Sequence, residues 1–294
     1  MAISYAKSYN PQTVDAFTLA SITKGMSGTN FNWASDTGKT IVLTSNGVAP
    51  MNDYTRNGVN RFGTPAEIDN SQQEIMCERD RAFTFTIDKM GRDERAMTIE
   101  AGKQLRKQVD EVVTPEVDIY TLGKLVSGAS AANIVDATSA VSKANAYETF
   151  LNINGMLDDQ RVPQTNRVAW VNPAFYNMLK LDPNFTKASE STVKALTSGF
   201  LGDVDGVALV KAPTSYLPAK DAANSKGAPL CIMAHKDAWV QPIRLEDFRI
   251  HVDPVGISGW LVEGRIVYDA FVLERLAGGA TNKDGVVILR QMYA

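Results

Sequence analysis

One long amphipathic stretch, from Asp93 to Leu125, constrains the fold of this chain more than any other feature. Its apolar residues recur every three or four positions, which places them on one face of an α-helix. They are Met97, Ala101, Leu105, Val109, Val112 and Val113, followed by Val117, Tyr120 and Leu125. Asp93 is a suitable N-cap, and Pro115 should kink the helix because proline has no backbone N–H. A helix over residues 93–125 would span about 50 Å, so the chain needs an equally long surface against which the helix packs.

The composition excludes several classes of protein. With 294 residues, 44% of them hydrophobic and 21% charged, the chain can bury the core of one large domain or two ordinary ones. Its 30 basic and 33 acidic residues leave no basic surplus of the kind that a nucleic-acid clamp carries. Cys77 and Cys231 are the only cysteines and lie far apart; two thiols in a chain of this size suggest a reducing compartment and leave one disulfide open. We find no signal peptide and no apolar run that could cross a bilayer, so we expect synthesis in the cytoplasm.

The first third of the chain predicts an arm and a projecting hairpin. Residues 1–35 are poor in charge and rich in Ser, Thr, Asn and Gly, so their aromatic side chains need a surface from elsewhere. The segment is either a frayed terminus or an arm across another subunit. Thr40–Ser45 and Glu74–Asp88 are strand-like, and the second alternates Phe83 and Phe85 with threonines. Turn signals and few large apolar residues fill the interval between them, which predicts a polar excursion outside the core.

From residue 145 onward the pattern is that of a compact α+β domain. A helix is predicted to end near Asp158, and Pro173 is suited to begin a second helix that ends at Leu181. The predicted strands are residues 168–172, 207–210, 230–233, 248–252, 260–273 and 286–289. The sequence therefore places a second, mixed unit after the long helix.

The sequence offers little catalytic chemistry. Gly38-Lys39-Thr40 resembles the end of a phosphate-binding loop, but Trp33 stands where its first glycine should be and a strand follows. Asp36-Thr37-Gly38 resembles an aspartic-protease triplet without a second aspartate in a matching context. The two histidines, His235 and His251, lack the spacing of a metal site. The carboxylates Asp88, Glu94, Asp158 and Asp159 are typical of helix ends and solvated faces. We predict no catalytic, cofactor-binding or metal-binding residue.

The order of these parts resembles the major capsid protein of tailed bacteriophages. That family has the Hong Kong 97-type α+β fold, which is also found in encapsulin nanocompartments. The resemblance is carried by Asn52-Asp53-Tyr54, Phe62-Gly63-Thr64-Pro65, Asp80–Asp88, Ala101-Gly102, Val112–Asp118 and Val262–Leu273. It covers nearly the whole chain and is strongest over residues 39–125. These motifs describe shape and carry no catalytic signature.

The resemblance implies a division of the chain into parts. Residues 1–35 would form an N-terminal arm, and residues 36–88 an extended β-hairpin called the E-loop. Residues 89–144 and 255–294 would form a peripheral domain, with residues 93–125 as its spine helix. Residues 145–254 would form an axial domain around the capsomer axes.

The same resemblance implies a structural protein and not an enzyme. Copies of the chain would self-assemble through hexamers and pentamers into an icosahedral shell around double-stranded DNA, without sequence-specific binding, cofactor or membrane contact. The protein would be assembled in the host bacterial cytoplasm and end in the virion, with a portal as a partner. A separate scaffolding protein is expected, because the arm and the excursion occupy the residues before the helix. A nearly neutral chain suits a container wall, since a strongly basic lumen would hold DNA tightly.

Two other functions are consistent with the sequence. One is an encapsulin-like shell with an enzyme as its cargo, and the other is a soluble cytoplasmic α+β enzyme. We favour the phage shell because the motifs of the excursion resemble those of phage proteins. Megadalton particles would separate either shell from the enzyme, and the particle contents would separate the two shells.

The lysine content of the excursion yields a first prediction. Some capsid proteins of this fold form covalent rings, in which an E-loop lysine attacks an asparagine of a neighbour. Residues 40–88 contain four arginines and no lysine, and an arginine stays protonated and cannot act as this nucleophile. Reduced particles boiled in detergent should therefore run as one band near 32.0 kDa. A ladder of larger species would show that Lys39 or Lys89, at the base, is the nucleophile.

Overall fold

A computed structural model gives the architecture. It describes residues 21–34, 39–46, 49, 51–65, 67–68, 70–88, 101–137, 140–182, 203–219, 227–277 and 280–291. The helices are α1 (Ala101–Gln108), α2 (Thr114–Gly128), α3 (Ala146–Asp159) and α4 (Pro173–Leu181). The strands are β1 (Asn32–Trp33), β2 (Thr40–Asn46), β3 (Asn70–Met76), β4 (Arg79–Asp88), β5 (Ile134–Ala137), β6 (Arg167–Val171), β7 (Asp203–Val204), β8 (Val207–Lys211), β9 (Pro229–His235), β10 (Trp239–Val240), β11 (Ile243–Val252), β12 (Gly259–Tyr268), β13 (Phe271–Val272), β14 (Arg275–Ala277), β15 (Ala280–Asn282) and β16 (Val286–Gln291). In this part of the chain, no helix combines the length and the apolar character needed to cross a membrane.

The predicted long helix is continuous from Ala101 to Gly128, with a π-helical turn (Val109–Val113) between α1 and α2. We call these three parts together the spine helix. Pro115 is the second residue of α2, and because it lacks an N–H it interrupts the regular ladder, which the π turn accommodates. The kink expected at Pro115 remains a prediction. The N-cap Asp93 and the residues up to 100 lie outside the described part of the chain.

The π turn also corrects the predicted helical face. Val112 was placed on the buried face, but 47% of its surface is exposed, whereas Val113 packs against the core. A π turn carries one residue more than an α turn, so the phase of an uninterrupted 3.6-residue period does not hold across it. Val117 and Leu125, beyond the turn, are buried as predicted.

A six-stranded mixed sheet forms the main core, in the order β5-β16-β9-β6-β8-β7. Successive residues of β6 alternate between its faces. Ala169 and Val171 point to a cluster that includes Phe150 of α3 and Phe175 of α4. Val168 and Trp170 point to the opposite cluster, which contains Leu122 and Leu125 of the spine helix. The sheet is therefore covered by two helices on one face and by the spine helix on the other.

A buried arginine and a proline-led helix fix the elements around β6. Arg167 is 1% exposed, and its guanidinium donates to Asp158 Oδ1 at 2.7 Å, to Asn154 Oδ1 at 2.5 Å and to backbone oxygens. This pairing offsets the cost of burying its charge. At the other end of the strand, Asn172 caps α4 by accepting from the N–H of Ala174, and Pro173 occupies the first turn. The second helix has the bounds that the sequence predicted, Pro173–Leu181.

A second, three-stranded sheet has the order β11-β12-β4. Ile266 and Tyr268 of β12 pack against Val113 and Val117 of the spine helix. Gly264 lies opposite Phe83, and a Cβ on this glycine would overlap the Phe83 ring. The sheet therefore packs on the middle of the spine helix through β12, while the Phe83 ring of β4 lies over Gly264 within the sheet.

The two sheets do not coincide with the predicted domain ranges. The predicted boundary at residue 254 falls within the β11–β12 pair, and β11 belongs to the three-stranded sheet. The last strand, β16, lies in the six-stranded sheet between β5 and β9. Two predicted long strands are each broken. Residues 74–88 divide at Cys77-Glu78, and residues 260–273 divide at Asp269-Ala270.

The spine helix yields a matched pair of substitutions. Leu122 is fully buried, whereas 43% of the surface of Ile119, one turn away, is exposed. Leu122→Asp places an unpaired charge in the core and should cost about 4 kcal/mol or more. Ile119→Asp should change the stability of the subunit by only about 0.5 kcal/mol. We expect soluble subunits from the second variant only, measured as the soluble fraction and its thermal melt. Equal behaviour would contradict the assigned helical phase.

Candidate assembly surfaces

The β2–β3 hairpin is anchored at its base. Its strands pair in continuous register from Thr40 opposite Met76 to Asn46 opposite Asn70. At the base, Ile41 is fully buried in a cluster with Cys77, Val240 and Val267, which belong to the junction before β4 and to β10 and β12. Seven residues per strand extend the hairpin about 23 Å. The hairpin thus begins in the core and carries its loop away from it, as predicted.

The loop of the hairpin exposes large apolar side chains. Met51, Val59 and Phe62 are 100%, 95% and 83% exposed, and Tyr54 contacts Phe62 edge to face with ring centroids 5.0 Å apart. We call Met51, Tyr54, Val59 and Phe62 the tip surface. The predicted excursion outside the core is present, but its apolar content is larger than the description as polar allowed. Apolar area that stays exposed to water does not stabilise a single subunit, so this surface is suited to contact another chain.

The tip has a defined shape. The N–H of Thr55 donates to the carbonyl of Arg61, and the N–H of Gly63 donates to the carbonyl of Asn60. Gly63 has a φ of 88°, and a Cβ there would overlap the Asn52 side chain. Asn52 and Gly63 belong to the two motifs on which the resemblance rests, and they contact each other. This contact holds the two sides of the hairpin loop together.

A buried aspartate joins the hairpin to the body. Asp269 is fully buried, and its carboxylate accepts from the N–H of Glu78 at 2.8 Å, from Tyr120 Oη at 3.1 Å and from the N–H of Ala270 at 2.8 Å. Lys124 Nζ lies 4.0 Å away and bonds Glu78 at 2.8 Å, which lowers the pKa of Glu78. The carboxylate thus ties both strand breaks to the spine helix.

A second buried aspartate holds the end of the predicted arm. The carboxylate of Asp118 on the spine helix accepts from Ser21 Oγ at 2.8 Å, from the N–H of Ile22 at 3.0 Å and from Thr23 Oγ1 at 2.6 Å. Trp170 Nε1 donates to the carbonyl of Ile22 at 2.8 Å. Residues 21–23 are therefore fixed to the body, while residues 1–20 of the predicted arm lie outside the described residues.

A charged cluster lies where the hairpin base meets the three-stranded sheet. Arg265 donates two hydrogen bonds to the carboxylate of Asp80, at 2.8 and 2.6 Å, and Lys39 pairs with the same carboxylate. The bonds from Arg265 and then Lys39 hold the pKa of Asp80 well below its usual value. Lys39 is thus engaged at the base, with no phosphate-loop helix after it, because β2 begins at Thr40.

The remaining candidates for chemistry lie apart. His235 accepts from the N–H of Asp237, and His251 lies 3.2 Å from Glu263 on the neighbouring strand. Among the described residues, no group of three or more His, Cys, Asp or Glu side chains could hold a metal ion. The Asp36-Thr37-Gly38 triplet and Glu94 fall outside these residues. Asp158 pairs with Arg167, a structural role.

A spine helix packed on two sheets, with an anchored projecting hairpin, defines the class of Hong Kong 97-type capsid subunits. The chain belongs to the phage capsid protein family, whose model matches residues 78–282. It is therefore a structural protein, the major capsid protein of a tailed bacteriophage, which builds the icosahedral shell and is located in the virion. No curated protein matches the sequence.

Solved phage structures share the fold along nearly the whole chain. A structure from Mycobacterium phage Che8 matches with a TM-score of 0.70 and 14% identity, over 97% of this chain and 96% of that one. The capsid of cyanophage P-SCSP1u gives 0.71 and 14%, over 98% and 93%. The capsid of Ralstonia phage GP4 gives 0.68 and 13%, over 98% and 95%. At these identities the likeness establishes the α+β capsid fold.

Sequence reasoning missed the two aspartates that hold the structure together. Asp118 closes the VVTPEVD motif and Asp269 lies in VEGRIVYDAFVL, so both stood within quoted motifs without a role. A signal was available, since an acidic residue between apolar neighbours on a buried strand or helix face requires a partner. Apart from the N–H of Ala270, however, their partners lie 95 to 191 residues away in sequence.

The Asp269 junction can be tested by an isosteric change. Asp269→Asn removes the charge and one acceptor, and a hydrogen bond to a charged group contributes about 1.5–3 kcal/mol. We expect a loss of that size in the free energy of unfolding and faster amide exchange at Glu78. Asp159→Asn, on an exposed helix end, is the control and should change stability by only about 0.5 kcal/mol. An unchanged melt for Asp269→Asn would contradict the assigned junction.

Proposed function

We propose that this capsid protein assembles as hexamers and pentamers whose contacts include the hairpin of one copy lying on the next copy. The observation that carries the proposal is the tip surface, with Met51, Val59 and Phe62 almost fully exposed on a hairpin that is firmly anchored at its base. An anchored base makes the tip a fixed projection. A shell of identical chains needs such heterologous contacts, which close by symmetry.

Each part of the chain takes a role in this proposal. Residues 1–35 are the arm, held at residues 21–23 by Asp118. The β2–β3 hairpin is the E-loop. The three-stranded sheet and the spine helix form the peripheral domain. The six-stranded sheet with α3 and α4 forms the axial domain, which includes β16. These ranges follow the two sheets, with β11 in the three-stranded sheet and β16 in the six-stranded sheet.

The proposed contents and partners rest on charge and on family membership. A net charge of −3 suits a wall that encloses double-stranded DNA without binding it tightly. Loading of DNA requires a portal, and a separate scaffolding protein guides assembly in the host bacterial cytoplasm. The protein has no enzymatic role in this proposal, which is supported by the structural use of Asp158, Asp118 and Asp269.

The hairpin provides the decisive experiment. Replacing residues 46–70 by Asn-Gly joins Ser45 to Ser71, which face each other in the register, through a two-residue turn. The subunit should remain soluble and keep its helical circular dichroism, because the removed residues contribute little to the core. Electron microscopy should show shells from the intact chain and none from the shortened one.

Two results would contradict the proposal. Normal particles from the shortened chain would exclude the E-loop role of the hairpin. Particles that contain a protein cargo and no DNA, when isolated from the native source, would instead support the encapsulin-like alternative.

A further inference from the structure

Two asparagine–glycine pairs of this chain lie in opposite surroundings. Asn57-Gly58 is in the loop of the β2–β3 hairpin, where both residues are exposed. Asn154-Gly155 is inside α3, where Asn154 is only 4% exposed. The third pair in the sequence, Asn46-Gly47, extends beyond the described residues. Asparagine is a thermolabile residue, and a following glycine makes it more reactive because the backbone nitrogen of a glycine is uncrowded.

Cyclisation of such a pair is a reaction of the chain with itself, favoured because both reacting groups are already held together. The backbone nitrogen of the glycine loses its proton and forms a bond to Cγ of the asparagine side chain. The bond from Cγ to the side-chain nitrogen breaks, and ammonia leaves. Water then opens the cyclic imide at either carbonyl, which yields aspartate or isoaspartate. In sum, asparagine and water give the acid and ammonia, and nothing is oxidised or reduced.

The hairpin loop provides the conditions for this reaction. Gly58 has a φ of 97°, in a region where a side chain is strained, so the glycine is required by the shape of the loop. The carbonyl of Gly58 accepts from Arg61 Nε at 3.3 Å. A positive charge beside this residue favours the deprotonated nitrogen that attacks Cγ. Exposure of Asn57 leaves its side chain free to turn toward that nitrogen and open to water.

Asn154 has the same neighbour and little of this freedom. Its Nδ2 donates to Asp205 Oδ2 at 2.8 Å, and its Oδ1 accepts from the buried guanidinium of Arg167 at 2.5 Å. The position of Gly155 within α3 engages its N–H in the helical ladder. Ring closure would first have to break these bonds, so the pair in α3 is an internal reference for the pair in the loop.

We propose that Asn57 is a site of self-modification, at which unassembled subunits convert to aspartate and isoaspartate and thereby lose their ability to enter the shell. The loss of assembly rests on the proposed shell function, whereas the chemistry does not. Residues 51–65 carry Arg56 and Arg61 against Asp53, and a new carboxylate removes this positive excess. Isoaspartate also lengthens the main chain by one carbon atom between Thr55 and Arg61, whose backbone groups are joined by a hydrogen bond of 3.1 Å. The modification thus limits the time for which a free subunit remains competent.

Peptide mass spectrometry of ageing subunits tests the chemistry. In unassembled protein kept at mildly alkaline pH, we expect the Asn57 peptide to gain the mass of deamidation and to contain isoaspartate. The rate should rise with pH, because the attacking nitrogen must lose a proton. Asn154 in the same sample should convert about tenfold more slowly or less, since one hydrogen bond to a charged group suffices for that factor. Asn57→Gln is the matched control and should stay unconverted, because its longer side chain would have to close a larger ring.

Coexpression tests the consequence for assembly. The wild-type chain is expressed together with Asn57→Asp, and both forms are quantified in particles and in the unassembled pool. The aspartate variant should be depleted several-fold from particles, whereas Asn57→Gln, which keeps a neutral amide, should enter them as the wild type does. Both variants should keep the melting temperature of the wild type, because the substituted residue lies in an exposed loop. A failure to fold is thereby separated from a failure to assemble.

The possible outcomes distinguish the modification from the shell function. An Asn57 that stays unconverted, or that converts no faster than Asn154, would overturn the modification site. Equal incorporation of Asn57→Asp and the wild type would overturn the effect on assembly and leave the shell function standing. A wild-type chain that forms no particles would contradict the shell function, and the conversion of Asn57 in the subunit would still be measured.

Discussion

Burial of one helix between two sheets is the constraint on which the rest of the structure depends. The three-stranded and six-stranded sheets contact different sides of the spine helix, through Val117 on one side and Leu122 and Leu125 on the other. Neither sheet shares a strand with the other. The helix thus separates and contacts two cores, and both the hairpin base and residues 21–23 are held in position by its side chains.

Two buried carboxylates add specificity to this apolar framework. Asp118 and Asp269 each replace their lost hydration with three hydrogen bonds from fixed donors. An unpaired buried charge would be costly, so any arrangement that displaces residues 21–23 or Glu78 is disfavoured by several kcal/mol. The apolar contacts could tolerate small shifts, whereas these bonds select one position for the arm and one for the hairpin base.

Local structure could be predicted from residue patterns within a short window, whereas contacts between residues far apart in the sequence could not. Helices α3 and α4, strand β6 and the β2–β3 hairpin follow from periodicity, caps and turn residues within a short window, and they are confirmed. The strand breaks at Cys77-Glu78 and Asp269-Ala270 were missed because each depends on the other, 191 residues away. The tip surface was underestimated because scattered Met, Val and Phe residues look unimportant until a fold exposes them together. The exposed position of Val112 followed from a π turn that no period-3.6 pattern reveals.

Because α2 is buried on two sides, the number of residues between two buried positions sets the angle, around the helix axis, between the sheets they contact. Five positions separate Val117 from Leu122, and at 100° per residue their side chains point about 140° apart around the helix axis. One residue added or lost between them would rotate one sheet against the other by about 100°. The helix therefore tolerates no change of length in this interval.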